Sequence, residues 1–379
     1  MSITQPKKLL IVDDSAFMRK MISDFFGDHP HIKVIGTARN GKDAIRKIQM
    51  LKPDVVTMDV EMPEMNGLEA LKVIMKECPV PVVMLSSTTK SGAKITLEAM
   101  ASGAVDFVAK PSGPISLDLY KIQSEVIRIV ENAATVHVSK LRHAEQKDLE
   151  KTTIPKEKVS TLSHSSVNTK DDIQRGIQVN PPVKWNSHSK KMVLIGTSTG
   201  GPRALQEVIT RLPQNIPAPI LIVQHMPEGF TKSLANRLDQ LAKITVKEAE
   251  QGDILQAGVA YIAPGGFHLH IRKVGMSYCI ELDQSEPPRG GHRPSVDVMF
   301  EDNSKYNDFD KIAVIMTGMG SDGTKGLQAL KNNGNVIAIT ESADTCVVYG
   351  MPKSAYATGL VDEVADVDDI SNIIMKYLP

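Results

Sequence analysis

Aromatic residues are scarce in this chain. They make up 4% of it, with one tryptophan, Trp185, so Ile, Val, Leu, Met and Ala must fill its cores. Cysteine is nearly absent as well. Cys78, Cys279 and Cys346 are odd in number, far apart and form no C-x-x-C. That excludes a disulfide framework and a zinc motif and favours reduced thiols. Net charge of either sign is missing: Lys plus Arg number 44, as do Asp plus Glu. The chain thus lacks the basic excess with which nucleic-acid modules neutralise phosphates, and it has no acidic solvating tail. No apolar run approaches the roughly eighteen residues of a membrane span. The first run, Leu9–Val12, stops at Asp13 and Asp14, too short for a secretory core. These absences predict a cytoplasmic protein with no membrane insertion and no nucleic-acid partner.

What is present is 379 residues of ordinary composition, 41% hydrophobic and 23% charged. At roughly 150 residues per domain, two or three domains are expected. Apolar runs at Lys8–Val12, Ile32–Ala38, Asp54–Val60, Pro81–Ser86 and Asp106–Ala109 predict strands. Helical spacing follows Ser15 and recurs over Lys42–Leu51, Leu68–Lys76, Ala93–Ala101 and about Leu117–Asn132. Five strands alternating with five helices indicate an α/β unit with a five-stranded parallel sheet and function at its carboxyl edge. From about Ala134 to Lys191, Ser, Thr, Lys, Asn and Gln dominate. Such a segment buries too little to offset its ordering entropy and reads as a polar linker, with Trp185 a surface residue.

Order returns at Met192. Strands are expected at Met192–Gly196, Pro219–Val223, Lys311–Met316 and Asn335–Ile339, and helices at Ala204–Leu212, Phe230–Leu241, Thr324–Lys331 and Asp368–Leu378. Between Thr245 and Leu282 shorter strands are joined by Gly turns. This is a second doubly wound α/β domain, mostly parallel, with a β-hairpin insertion. The expected division is residues 1–128, a linker over 129–190, and residues 191–379.

Two constellations carry chemistry. In the first, Asp13, Asp14 and Asp59 stand at strand carboxyl ends and can converge on one sheet edge. Three carboxylates cannot crowd together uncompensated, and a hard cation such as Mg²⁺ is the natural remedy. Ser86 and Lys110 belong to the same edge. A hydroxyl and an ammonium there suit phosphoryl transfer to Asp59. Taken singly, each of these residues is more often structural. Together, D-D, D-x-x-M-P, Ser86 and K-P make the stretch over about residues 7–128 resemble the response-regulator receiver family. The resemblance implies that Asp59 is the phospho-acceptor, supplied by a chemotaxis histidine kinase. It implies Mg²⁺ held by Asp14, Asp59 and the backbone carbonyl of Glu61, with Asp13 acting largely through water. It also implies a switch made of Ser86, Phe107 and Lys110.

The second constellation begins at G-T-S-T-G-G, Gly196 to Gly201, between a strand and a helix. It contains G-x-S-x-G, where small residues let a serine on a sharp turn approach a substrate. The helix N-terminus beyond offers N–H groups to a developing oxyanion. The same turn can instead cradle a phosphate. His225 in Q-H-M-P and Asp322 in T-G-M-G-S-D-G also follow strands and can complete a Ser198–His225–Asp322 triad. His292, in G-H-R-P-S-V-D, is a second candidate base. Asp322 alone reads better as a helix N-cap, and only the rest of the arrangement favours the triad. His268 and His270 alternate along a strand and receive no role.

The four motifs in this order resemble the CheB family of chemotaxis protein-glutamate methylesterases, over nearly all of residues 191–379. The resemblance implies hydrolysis of γ-glutamyl methyl esters on methyl-accepting chemotaxis receptors, with deamidation of particular glutamines, no cofactor for the ester reaction, and a receiver that covers the active site until phosphorylated. Oxyanion donors near Thr199 or Met319 are both compatible with it. The alternative is a phospho-regulated anion- or protein-binding module without hydrolysis.

Overall fold

The structure is a computed structural model and describes residues 5–110, 119–138 and 189–378. The first unit runs β1 (Lys7–Val12), α1 (Ala16–Phe25), β2 (Ile32–Ala38), α2 (Gly41–Leu51), β3 (Val55–Asp59), α3 (Gly67–Glu77), β4 (Val82–Ser86), α4 (Lys90–Ala101), β5 (Asp106–Ala109) and α5 (Leu119–Ala133). Its strands form one parallel sheet in the order β2-β1-β3-β4-β5. Every residue of β3 and β4 is buried, as expected where helices cover both faces. Ser15 caps α1 by accepting the Met18 N–H. Asn66 and Glu69 close a capping box on α3. Helix α4 starts three residues before its expected position because Thr89 accepts the Gly92 N–H and sets the cap there. The expected start of the last helix and most of the expected linker, including Trp185, lie outside the described residues.

The second unit comprises β6 (Lys190–Thr197), α6 (Gly201–Ile209), β7 (Ile220–Gln224), α7 (Phe230–Leu241), β8 (Thr245–Glu248), β9 (Val259–Ile262), β10 (His268–Val274), β11 (Ser277–Asp283), α8 (Val296–Asn303), β12 (Phe309–Ile315), α9 (Thr324–Asn333), β13 (Val336–Glu341), α10 (Met351–Tyr356), β14 (Glu363–Ala365) and α11 (Val367–Lys376). Seven strands form a wholly parallel sheet in the order β14-β13-β12-β6-β7-β9-β8. The inserted hairpin is the antiparallel pair β10–β11. Strands β6 and β12 both start two residues earlier than their apolar runs suggest. Lys191 and Asp310 are buried there and pair at 2.9 Å across the two strands, so charge hides the strand starts. The short α10 and β14 have no counterpart among the expected elements: one and a half turns, or three residues, leave no periodic trace.

Each sheet has a switch point where the strand order reverses, between β1 and β3 in the first and between β6 and β12 in the second. Crevices at the carboxyl ends of such strands are where doubly wound folds bind ligands. The two units meet along α4, which packs on α6 and α7. At the same junction the Phe107 ring stacks on Phe230, centroids 4.6 Å apart.

Candidate active site

Ser198 follows β6 and Thr317 follows β12, so the small-residue turn lies at the second switch point. The turn is tightly built. Ser198 N–H donates to Thr317 O at 3.0 Å, and Gly201 N–H returns to Ser198 O at 2.7 Å. Gly200 has φ +78°, and a Cβ there would lie 2.7 Å from Val347. Gly318 faces Ser198 so closely that a Cβ would lie 2.8 Å from the serine Cβ. Both positions therefore need glycine for the serine to sit where it does.

Gln224, the last residue of β7, ties the turn to the histidine. Its amide donates to Ser198 O and to His225 O, each at 3.0 Å, while its oxygen accepts from Thr197 Oγ1 at 2.6 Å. Sequence patterning singled out Q-H-M-P for its histidine alone. The backbone role of the glutamine carries no signal beyond its adjacency.

His225 Nε2 lies 2.7 Å from Asp322 Oδ2, and its Nδ1 is buried without a hydrogen-bond partner. The nitrogen paired with the carboxylate is thus Nε2, and the lone pair is left on Nδ1. Ser198 and His225 line one cleft and are not hydrogen-bonded to each other in this state. Such contacts commonly tighten only with substrate bound.

Asp322 is not the side-chain cap of α9; Gly323 holds that position without a side-chain bond. Instead its carboxylate accepts from Val296 N at 2.7 Å, from Asp297 N and Ser295 Oγ at 2.9 Å, and from Gly323 N at 3.1 Å. Ser295, Val296 and Asp297 form the start of α8, so a helix N-terminus faces the acid. Burial pushes its pKa up, but the bond to His225 and these N–H groups outweigh it and hold the carboxyl well below the usual range.

His292 stacks on His225 with ring centroids 3.8 Å apart and planes 7° from parallel. Burial, then the neighbouring His225, push its pKa down to about 3. It lies as a plate over the His225 ring, and its lowered pKa makes it a weak base. Thr199 and Met319 both border Ser198, through the turn and through Gly318. Their backbone N–H groups make no hydrogen bond among the described residues, whereas that of Ser198 is committed to Thr317.

The receiver-like unit closes the other side of this cleft with Asp106, Phe107, Glu125 and Arg128. Thr199 Oγ1 donates to Asp106 at 2.5 Å. Arg128 and Asn132 both reach the Met319 sulfur. Burial raises the pKa of Asp106 and of Glu125. None of Asp106, Asn132 or Phe230 was singled out in sequence, because a contact between domains leaves no local pattern.

The first switch point gathers the acidic residues. Asp13, Asp14 and Asp59 each offer an oxygen within 4.8 Å of the others, with Asp13 and Asp59 buried and Asp14 exposed. Lys110 Nζ lies 2.9 Å from Asp13 and 2.8 Å from Asp59. Burial opposes its charge, but the two carboxylates outweigh that and raise its pKa. Burial raises Asp59 to about 6 even against Lys110. Glu61 donates its N–H to Asp59 at 3.3 Å. The Ser86 hydroxyl is turned away from Asp59, toward Ser87 O and buried Thr96, whose own hydroxyl donates to it at 2.7 Å. Thr96 was not anticipated.

Residues 193–374 match the CheB methylesterase family, and residues 9–119 match the response regulator receiver domain. A protein-glutamate methylesterase/protein-glutamine glutaminase of Geobacillus kaustophilus is 54% identical over 98% of this chain and 98% of its own. The chain belongs to the CheB family. The equivalently named protein of Bacillus subtilis is 46% identical over 96% of both chains. The solved catalytic domain of Thermotoga maritima CheB methylesterase is 46% identical, covers 50% of this chain and 98% of its own, and superposes with a TM-score of 0.48. As a CheB, the chain is a hydrolase joined to a receiver, under phosphorylation control. No helix among the described residues is long and apolar enough to cross a membrane.

Proposed function

We propose that this CheB hydrolyses γ-glutamyl methyl esters on the cytoplasmic part of chemoreceptors and deamidates selected receptor glutamines, through Ser198, His225 and Asp322. The observation that carries the assignment is the His225–Asp322 pair beside Ser198 at the sheet's switch point, with Nδ1 left as the accepting nitrogen. Ser198 Oγ attacks the γ-carbonyl carbon as its proton passes to His225 Nδ1. The tetrahedral oxyanion is held by N–H groups of Thr199 and Met319. Collapse expels methanol, or ammonia from an amide, which takes the proton from His225. Water then attacks the acyl-serine by the same route and leaves a glutamate carboxylate. Asp322 holds the imidazole and balances its positive charge.

Phosphoryl transfer from a chemotaxis histidine kinase to Asp59 controls the enzyme. Asp13, Asp14, Asp59 and the Glu61 carbonyl suit Mg²⁺, because a buried carboxyl with a raised pKa gains from a cation beside it. When bound, Mg²⁺ offsets the charge of the carboxylates and of the incoming phosphoryl group. Lys110 is placed to pair with the phosphorylated product, and Ser86 has to turn toward it. Phe107 and Asp106 lie between these residues and the ester site. Their contacts to Phe230 and Thr199 support a resting state in which the receiver obstructs the cleft. The division into residues 1–128, 129–190 and 191–379 belongs to the same proposal.

Incubation with methyl-labelled receptor tests it. Released methanol should rise with a phosphodonor in wild type, stay at the resting level in Asp59→Asn, and vanish in Ser198→Ala. Hydrolysis surviving in Ser198→Ala would move the chemistry elsewhere and reopen the binding-module alternative.

A further inference from the structure

Glu341, at the carboxyl end of β13, is 1% exposed and has no part in the acyl transfer just described. A buried carboxyl needs a reason to be there, and its partners supply one. Oε2 accepts the Thr317 N–H at 2.8 Å, and Oε1 accepts the Thr345 hydroxyl at 3.0 Å. Thr345 is fixed in turn, since its Oγ1 accepts the Val367 N–H at 3.1 Å.

Thr317 is the residue on which the nucleophile turn rests. Its carbonyl accepts the Ser198 N–H at 3.0 Å. Its hydroxyl donates to Thr199 O at 2.9 Å and accepts the Val348 N–H at 3.0 Å. One residue thus holds both Ser198 and Thr199, and Glu341 holds that residue by its remaining polar group, the N–H.

We propose that Glu341 is a positioning residue for the ester site, fixing Ser198 and Thr199 through Thr317. This rests on the assignment of Ser198 as nucleophile. The role is geometric and does not need a charge. Burial pushes the Glu341 pKa up to about 7, and either protonation state can accept from Thr317. A glutamine can do the same, with its oxygen on Thr317 N–H and its amide donating to Thr345 Oγ1.

The test compares Glu341→Gln, Glu341→Ala, Thr345→Val and Ser198→Ala in the full chain, with phosphodonor and methyl-labelled receptor. Ser198→Ala must be inactive, and activity there would defeat the nucleophile assignment rather than this inference. Glu341→Ala should lower kcat by about a hundredfold, the scale of a misplaced reacting group. KM should stay within about twofold, since receptor binding is untouched. Glu341→Gln should restore kcat to within about threefold of wild type, because it keeps both hydrogen bonds. Thr345→Val, which removes one anchor, should fall between, and it decides the matter if Glu341→Ala does not fold. Wild-type kcat in Glu341→Ala or in Thr345→Val, or a Glu341→Gln enzyme as slow as Glu341→Ala, would overturn the proposal.

Discussion

Replacing Asp322 by Asn isolates the contribution of one carboxylate, and its surroundings allow the outcome to be worked through. Oδ1 accepts from Ser295 Oγ, Asp297 N and Gly323 N, while Oδ2 accepts from His225 and from Val296 N. An amide has one accepting oxygen. It keeps three donors satisfied if that oxygen takes the Oδ1 position. The NH₂ group then faces the Val296 N–H, two donors against each other, and leaves a buried N–H unpaired at about 1–3 kcal/mol. It also donates to His225 Nε2. The imidazole must then carry its proton on Nδ1, the nitrogen that has to receive the serine proton. A tautomer error of this kind lowers kcat by about 10⁴-fold where a triad acid has been changed the same way. We expect a loss of that order in methanol release by Asp322→Asn with phosphodonor present, and retained phosphorylation at Asp59. Retention of a tenth or more of wild-type kcat would refute both the assignment of Nε2 and the role of Asp322. The same carboxylate links stability to pH. Its folded pKa is depressed, so its contribution is complete above the ordinary aspartate range and is lost as pH falls below it.

Asp59→Asn should abolish labelling by a small-molecule phosphodonor, measured as incorporated phosphate per chain. The same variant should change stability. Asp59 is raised to about 6 by burial, so its ionisation disfavours the folded state as pH rises from about 4 to 6, by on the order of 3 kcal/mol at neutrality. Asp59→Asn should therefore melt higher than wild type at pH 7 without Mg²⁺ and lose that advantage in its presence. Equal melting with and without the ion would oppose the cation assignment. Asp106→Ala removes the acceptor of the Thr199 hydroxyl. At about 1 kcal/mol for one hydrogen bond, methanol release without phosphodonor should rise roughly fivefold while the phosphorylated rate holds. No rise would argue against obstruction through this contact.

Much of this molecule was legible in its residues because the chemistry follows the strands. Ser198, His225, Asp322 and Asp59 each stand at or just past a buried apolar run, and parallel sheets bring such positions to one edge. What patterning could not convey was relational. Nothing local distinguishes Nδ1 from Nε2 in His225, or reveals that Asp322 faces the start of α8 rather than capping α9. The Asp106–Thr199 bond joins residues 93 positions apart and depends on how two domains meet. Lys191 and Asp310 masked the first residues of two central strands, because polarity at a buried position contradicts the rule by which strands are found. Glu341 escaped notice for the same reason. It ends an apolar strand and reads as the charge that stops it, whereas it is buried.

The junction strand β5 has one consequence for protein engineering. Within five consecutive residues, Asp106 meets the turn beside Ser198, Phe107 meets α7, and Lys110 meets Asp59, the proposed phospho-acceptor. The Asp106 and Phe107 contacts each have one half on either side of the seam, while the Lys110 contact stays within the first unit. A chimera that exchanges receivers between relatives should fold and accept phosphate, yet respond to it only where the partners of Asp106 and Phe107 travel with the strand.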